Sequence, residues 1–212
     1  MVLNAIGNVN YSNIQYRTST NGQWLSYPIN TTITLSNVDD LVQFRNIANT
    51  FSIDSNNYFQ FSMTGSINGS GWIQSLMNYQ NSIESNNYCY YNLFRDCSSL
   101  ITPPELSVTE LSSYCYNNMF RSCVNLTFAP KLLTTTVKQG CYMLMFYGCT
   151  TLTNGVNLPA ENLATECYAN MYSRCSNIVN GGKISAVELN TNSLRYMFYD
   201  CKLLISLEVD FL

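Results

Sequence analysis

CYNNMFRSCVNL, residues 115–126, decides how this chain is organised, because it returns every 26 residues. CYYNLFRDCSSL precedes it at 89–100; CYMLMFYGCTTL (141–152), CYANMYSRCSNI (167–178) and the degraded SLRYMFYDCKLL (193–204) follow. All nine cysteines fall on this grid, in one ladder of Cys89, Cys115, Cys141 and Cys167 and a second of Cys97, Cys123, Cys149, Cys175 and Cys201. A period of 20 to 50 residues marks stacked repeats, since one unit cannot bury its apolar face alone.

Within one repeat, Cys115, Met119 and Cys123 lie at i, i+4 and i+8, with Tyr116 and Phe120 one step round. That is an apolar stripe of helical period. Leu126 then leads into TFAPKLL (127–133), whose proline forbids helix and predicts an extended segment. ITPPEL, TNGVNL, VNGGKI and ISLEVD are its counterparts, and Leu111, Val137, Leu163 and Leu189 form a further ladder expected to be buried. Extended segments pair about 4.8 Å apart, whereas packed helices need about 8–10 Å between axes. The stack is therefore expected to curve, with short strands inside and helices outside.

The MFxxCxxL core (Met119-Phe120, Cys123, Leu126 and their copies) and the proline-containing segment after it resemble the BspA-like leucine-rich repeats. The resemblance runs from about Tyr88 to Leu207. It implies a right-handed solenoid of short parallel strands and a role in surface adhesion or host interaction, as in proteins of gut bacteria and their bacteriophages. Tyr172 for Phe, Ile178 for Leu and Ser193 for Cys depart from the pattern toward the C-terminus. No functional residue carries over, because the motif positions are core positions.

Residues 1–68 follow another rule. NIQYRTS, TTITL, LVQFRNI and NYFQFSMTG alternate apolar and polar residues, with Asn21-Gly22 and Asp39-Asp40 as turns. They predict a small antiparallel β module. SINGSG (66–71) and Trp72–Leu76 read as a cap or first solenoid turn over 69–87, and 88–212 as the repeats. Trp24 and Trp72 are expected to pack in the core. The fold class expected is thus α+β: an N-terminal antiparallel β module, then a curved leucine-rich-repeat solenoid of about five repeats.

The cysteines are expected to stay reduced, as small buried apolar residues. Nine is an odd count, and a helical C-x7-C would hold its thiols roughly 12 Å apart, beyond the reach of about 7 Å that a bridge allows. With no histidine, no zinc site and no Ser/His or Cys/His nucleophile is expected. The glycines of 65–71 lack a phosphate-loop lysine, the acidic pair Glu105 and Glu110 does not recur, and Asp39-Asp40 is explained by a turn. No enzyme activity, cofactor or metal is expected.

A net charge of −3 with 11% charged residues argues against nucleic acid. No run of about 20 apolar residues predicts a membrane span, and MVLNAIGNVNYSN does not read as a secretion signal. Polarity comes from Asn, Ser, Thr and Tyr, a composition suited to binding surfaces.

Two recognition rows are expected, Thr102, Phe128, Asn154 and Asn180 and, beside them, Glu105, Lys131, Asn157 and Lys183. Ile205, Leu207, Val209 and Phe211 alternate along a C-terminal edge expected to self-associate or dock a protein. The expected role is a non-enzymatic structural or recognition protein binding protein or glycan. A bacteriophage virion component folded in the host cytoplasm (fibre or decoration protein) comes first. The alternative is a bacterial cell-surface adhesin that has lost its leader.

Overall fold

A computed structural model of the chain describes residues 1–77 and 86–210. The N-terminal part holds β1 (Val2–Ile6), β2 (Ile14–Arg17), β3 (Leu25–Ser26), β4 (Gln43–Asn46) and β5 (Tyr58–Ser62). β1 pairs antiparallel with β5, and β2 sits between β3 and β4, antiparallel to both. The expected β module is there, except that TTITL forms no strand: Ile33 is held instead by its N–H to the Met1 carbonyl, 2.8 Å. Trp72–Leu76 is not a strand either; Ile73–Leu76 forms one 3-10 turn.

The fold class expected for the repeats is overturned. No α-helix occurs among the described residues, and a helix-outside leucine-rich-repeat solenoid is not formed. β6 (Ile67–Asn68) pairs in parallel with β7 (Leu100–Thr102), and β8 (Asn180–Ile184) with β9 (Ser206–Val209). Elsewhere the extended segments meet only through single bridges such as Asn154 to Asn180 and Leu158 to Ile184.

What replaces the helix is an array of four-residue turns. In the 115–126 repeat the N–H groups of Asn117, Met119, Arg121 and Cys123 donate to carbonyls three residues back. The alternate N–H groups, of Tyr114, Tyr116, Asn118, Phe120 and Ser122, leave the repeat and donate to Gln139, Cys141, Met143, Met145 and Tyr147 at 2.8–3.0 Å. The alternation recurs from Tyr88 to Arg174, so the buried backbone is satisfied without any i→i−4 bond. Every fourth residue adopts positive φ: Tyr88, Asn92 and Asp96, then Tyr114, Asn118 and Ser122, then Gly140, Leu144 and Gly148, and onward. Alternate turns need this at their third residue, where Gly and Asn are favoured.

Spacing explains why helices lose. Successive rungs stand 5.0 Å apart at the Cα atoms of Cys89 and Cys115, far closer than helix axes can pack. At that spacing rings stack directly: Phe61, Phe94, Phe120, Phe146, Tyr172 and Phe198 form one column with centroids 5.2–5.7 Å apart. Tyr90, Tyr116, Tyr142 and Tyr168 form a second. Phe61 belongs to β5, so the ring column starts in the N-terminal part. Ser52 and Phe61 donate their N–H to the Cys89 and Leu93 carbonyls and cover the first rung.

The cysteine ladders behave differently from each other. Cys97, Cys123, Cys149, Cys175 and Cys201 each donate the thiol hydrogen, at 3.0 Å, to the carbonyl of Phe61, Phe94, Phe120, Phe146 or Tyr172 in the previous level. In the other ladder Cys89 and Cys115 are joined by a disulfide, contrary to the expectation that all nine stay reduced. The bridge joins equivalent positions on neighbouring rungs, 26 residues apart, and not the two cysteines of one repeat.

Candidate interaction face

The rung of residues 192–201 repeats the turn array, and no described residue stacks a further rung on it. Its carbonyls at Thr191, Ser193, Arg195, Met197 and Tyr199 accept from Glu166, Tyr168, Asn170, Tyr172 and Arg174. Its own alternate N–H groups, on Asn192, Leu194, Tyr196, Phe198 and Asp200, are the ones that would continue the pattern. None of these five has a hydrogen-bond acceptor among the described residues.

Around this donor row the side chains are apolar and open. Leu189 is 65% exposed, where Leu111, Val137 and Leu163 in the same column are buried, because no further turn covers it. The sequence expectation that Leu189 is buried is corrected on that ground. Tyr196 and Tyr199 are exposed and meet edge to face at 5.9 Å, and the Arg195 guanidinium lies 5.0 Å from the Tyr196 ring centre. Leu207 is exposed where Gly181 in its column is buried; Leu203 and Ile205 (84%) are exposed too, in columns that are already open at Asn177 and Val179.

Of the expected assembly edge, Ile205 and Leu207 are exposed, Val209 is half-buried in β9, and Phe211 lies outside the described residues. β9 pairs on one side only, with β8, and Lys183 Nζ holds its end through Asp210 Oδ2 at 3.0 Å. Alternation of apolar residues was legible in the sequence; the donor row was not.

In the two expected recognition rows the later members lie side by side. Asn154 bridges Asn180, and the Lys183 N–H donates to Asn157 Oδ1 at 3.1 Å. Phe128, Glu105, Lys131, Asn154, Asn157 and Asn180 are exposed, while Thr102 and Lys183 are half-buried. Asn157 and Asn180 are partly spent on backbone groups, since Asn180 Oδ1 also accepts from the Gly182 N–H.

Neither tryptophan is a core residue. Trp72 is 69% exposed, and half-buried Trp24 lies against the guanidinium carbons of Arg17 and Arg45 at 4.6 and 4.3 Å from its ring centre. Gln43 and Gln15 fix those guanidinium groups by accepting from their Nε, at 2.6 and 2.7 Å. An open cleft of about 1550 Å³ runs beside them, between β4 and the segment from Met63 to Leu76.

The thiols are poor nucleophiles. Burial, with the Asp96 charge adding to it, pushes Cys97 up to about 12, and burial does the same to Cys175. Cys123 and Cys149 are also raised well above the ordinary thiol range by burial. A reactive cysteine needs the opposite shift. Among the described residues no three His, Cys, Asp or Glu side chains gather as a metal site, and no helix is long and apolar enough to cross a membrane. The chain matches no protein-family model, no curated protein and no solved structure.

Proposed function

We propose that this chain is a non-enzymatic structural and recognition protein that engages a protein partner through the open end of its stack. One observation carries the reading: five N–H groups in a row with no acceptor among the described residues, on the rung that leaves Leu189 and Leu207 open. Buried donors without acceptors cost free energy, so an occupant of this face must bring carbonyls in register as well as apolar cover. A polypeptide does so, in the way each rung already serves the one before it. A second copy cannot meet the row face to face, because donors would oppose donors; it pairs through the free edge of β9.

The raised thiols and the lack of histidine support the non-catalytic part. Kinship with the BspA-like repeats belongs to the proposal and rests on the MFxxCxxL core, with the helix-outside solenoid removed from it. The setting we infer is a virion fibre or decoration protein, for which reduced, hydrogen-bonded thiols in one ladder speak. A bacterial surface adhesin is the second reading, favoured by the Cys89–Cys115 bridge, since disulfides persist in oxidising surroundings.

Sedimentation velocity of the full chain against the Ile205→Lys/Leu207→Lys variant tests pairing of two copies through the β9 edge of this end. We expect concentration-dependent association that the variant loses; a wild-type chain that stays monomeric up to 100 μM (about two orders of magnitude above a micromolar contact) and binds no partner through this end would overturn it. Immunogold imaging on purified particles against cell envelopes separates the two settings.

A further inference from the structure

We propose that Cys141 and Cys167 form a second disulfide between neighbouring rungs, leaving the five-membered ladder as thiols. Three adjacent steps exist in the four-cysteine ladder; the structure bridges the first and holds Cys141 and Cys167 as buried thiols, yet the backbone and ring geometry repeats at each step. Tyr90 donates to the Cys115 carbonyl at 3.0 Å, Tyr116 to Cys141 at 2.9 Å and Tyr142 to Cys167 at 2.9 Å. The adjoining tyrosine rings repeat at 5.5, 5.8 and 5.6 Å. The step from Cys141 to Cys167 therefore reproduces the step that Cys89 and Cys115 make with Cα atoms 5.0 Å apart, well inside the range a bridge requires.

Elimination fixes the partner. Cys115 is spent on Cys89, so Cys141 has one neighbour left in its column, and Cys167 has no cysteine beyond it because Ser193 holds that position. In the other ladder every thiol hydrogen is committed to a carbonyl of the previous level. Coupling two of those would cost both hydrogen bonds. Four bridged cysteines and five hydrogen-bonded ones account for all nine.

The chemistry is thiol–disulfide exchange with a small-molecule disulfide such as oxidised glutathione. One cysteine thiolate attacks a glutathione sulfur and expels a glutathione thiolate. The second attacks the protein sulfur of that mixed disulfide and expels the other. Two protein thiols and one oxidised glutathione become one protein disulfide and two reduced glutathiones. Cys141 and Cys167 are fully buried, and burial keeps both thiols protonated in the folded chain. Exchange must precede closure of the rungs.

The test is refolding of the reduced, unfolded full chain in a glutathione redox buffer. Free thiols are then alkylated with iodoacetamide in denaturant, and bridged ones with N-ethylmaleimide after reduction. Peptide mass spectrometry should place the second label on Cys89, Cys115, Cys141 and Cys167, and the first on the other five. Unreduced chymotryptic digests should contain a species linking Cys141 to Cys167. The proposal fails if those two carry the first label, if a linked species joins Cys115 to Cys141, or if any member of the five-cysteine ladder is bridged. Cys115→Ala gives an independent reading: the Cys141–Cys167 species should persist with Cys89 as a thiol, and its loss from folded variant protein counts against the pairing.

Discussion

Cys149 gives its thiol hydrogen to the carbonyl of Phe120, 29 residues earlier and one rung back, at 3.0 Å. The same carbonyl accepts the Cys123 backbone N–H at 3.1 Å, so a single oxygen closes its own turn and holds the next rung, while the Cys149 N–H donates to Phe146 at 3.0 Å. Cys149→Ala removes the sulfur from a fully buried site and leaves a small void, at about 1–3 kcal/mol. Cys201→Ala, at a half-buried position on the open rung, should cost less than half of that. Urea unfolding of the two variants, compared at equal m-value, checks both figures; equal costs would contradict the role assigned to stacking.

Gly140 and Gly148 both sit at positive φ but in different surroundings. A Cβ on Gly148 would meet only Ser122 Oγ at 3.9 Å, so Gly148→Ala carries the conformational cost alone, about 1–2 kcal/mol. On Gly140 it would stand 2.5 Å from the Tyr114 ring, which itself stacks on Tyr88 at 4.9 Å. Gly140→Ala should therefore lower the melting temperature more than Gly148→Ala does. Leu144, a branched-chain residue at φ 59°, is the converse case: Leu144→Gly should cost less than a Leu→Gly change in extended backbone.

Alkali should destabilise the fold in a defined window. Cys97 and Cys175 ionise near 12 when folded and near 9.0 when unfolded, so above pH 9 the unfolded chain has lost protons that the native one still holds. Stability is then flat below about pH 9 and falls as pH rises toward 12, by about 1.4 kcal/mol per pH unit for each such thiol. Urea midpoints at pH 8, 9.5 and 10.5 should fall at the last two. Constancy through pH 10.5 would count against deep burial of these groups.

Ile205→Lys should be nearly silent for folding, because the side chain is 84% exposed and packs on nothing. A stability change within about 0.5 kcal/mol is expected in thermal unfolding. Phe120→Ala, inside the ring column and fully buried, should cost about 3–5 kcal/mol by the same measurement.

The 26-residue grid was legible because it recurs five times, and β2, β4 and β5 because their alternation is local. The turn array was not, for a numerical reason. Cys115, Met119 and Cys123 give three points, and three points do not separate a period of 3.6 from one of 4. A usable signal lay in the other columns: Asn92, Asn118 and Asn170 recur four residues before or after Gly140, Gly148 and Asp96 on the grid. Asn, Asp and Gly at four-residue spacing inside a supposed helix point to repeated left-handed residues. At the open end the apolar alternation of Ile205 and Leu207 was legible, but the donor row and the exposure of Leu189 were not, since Leu189 is chemically the same residue as Leu163 and differs only in having no described neighbour above it.

Because each rung hands its alternate N–H groups forward and takes them up at its carbonyls, the pile has a direction. Lengthening it in evolution requires whole quanta of 26 residues: a duplication of one unit slots in and preserves every contact on both sides, whereas gain or loss of a single residue would turn one row of donors away from its acceptors. Reach along the stack axis can thus change by steps of about 5 Å without any surface elsewhere being redesigned.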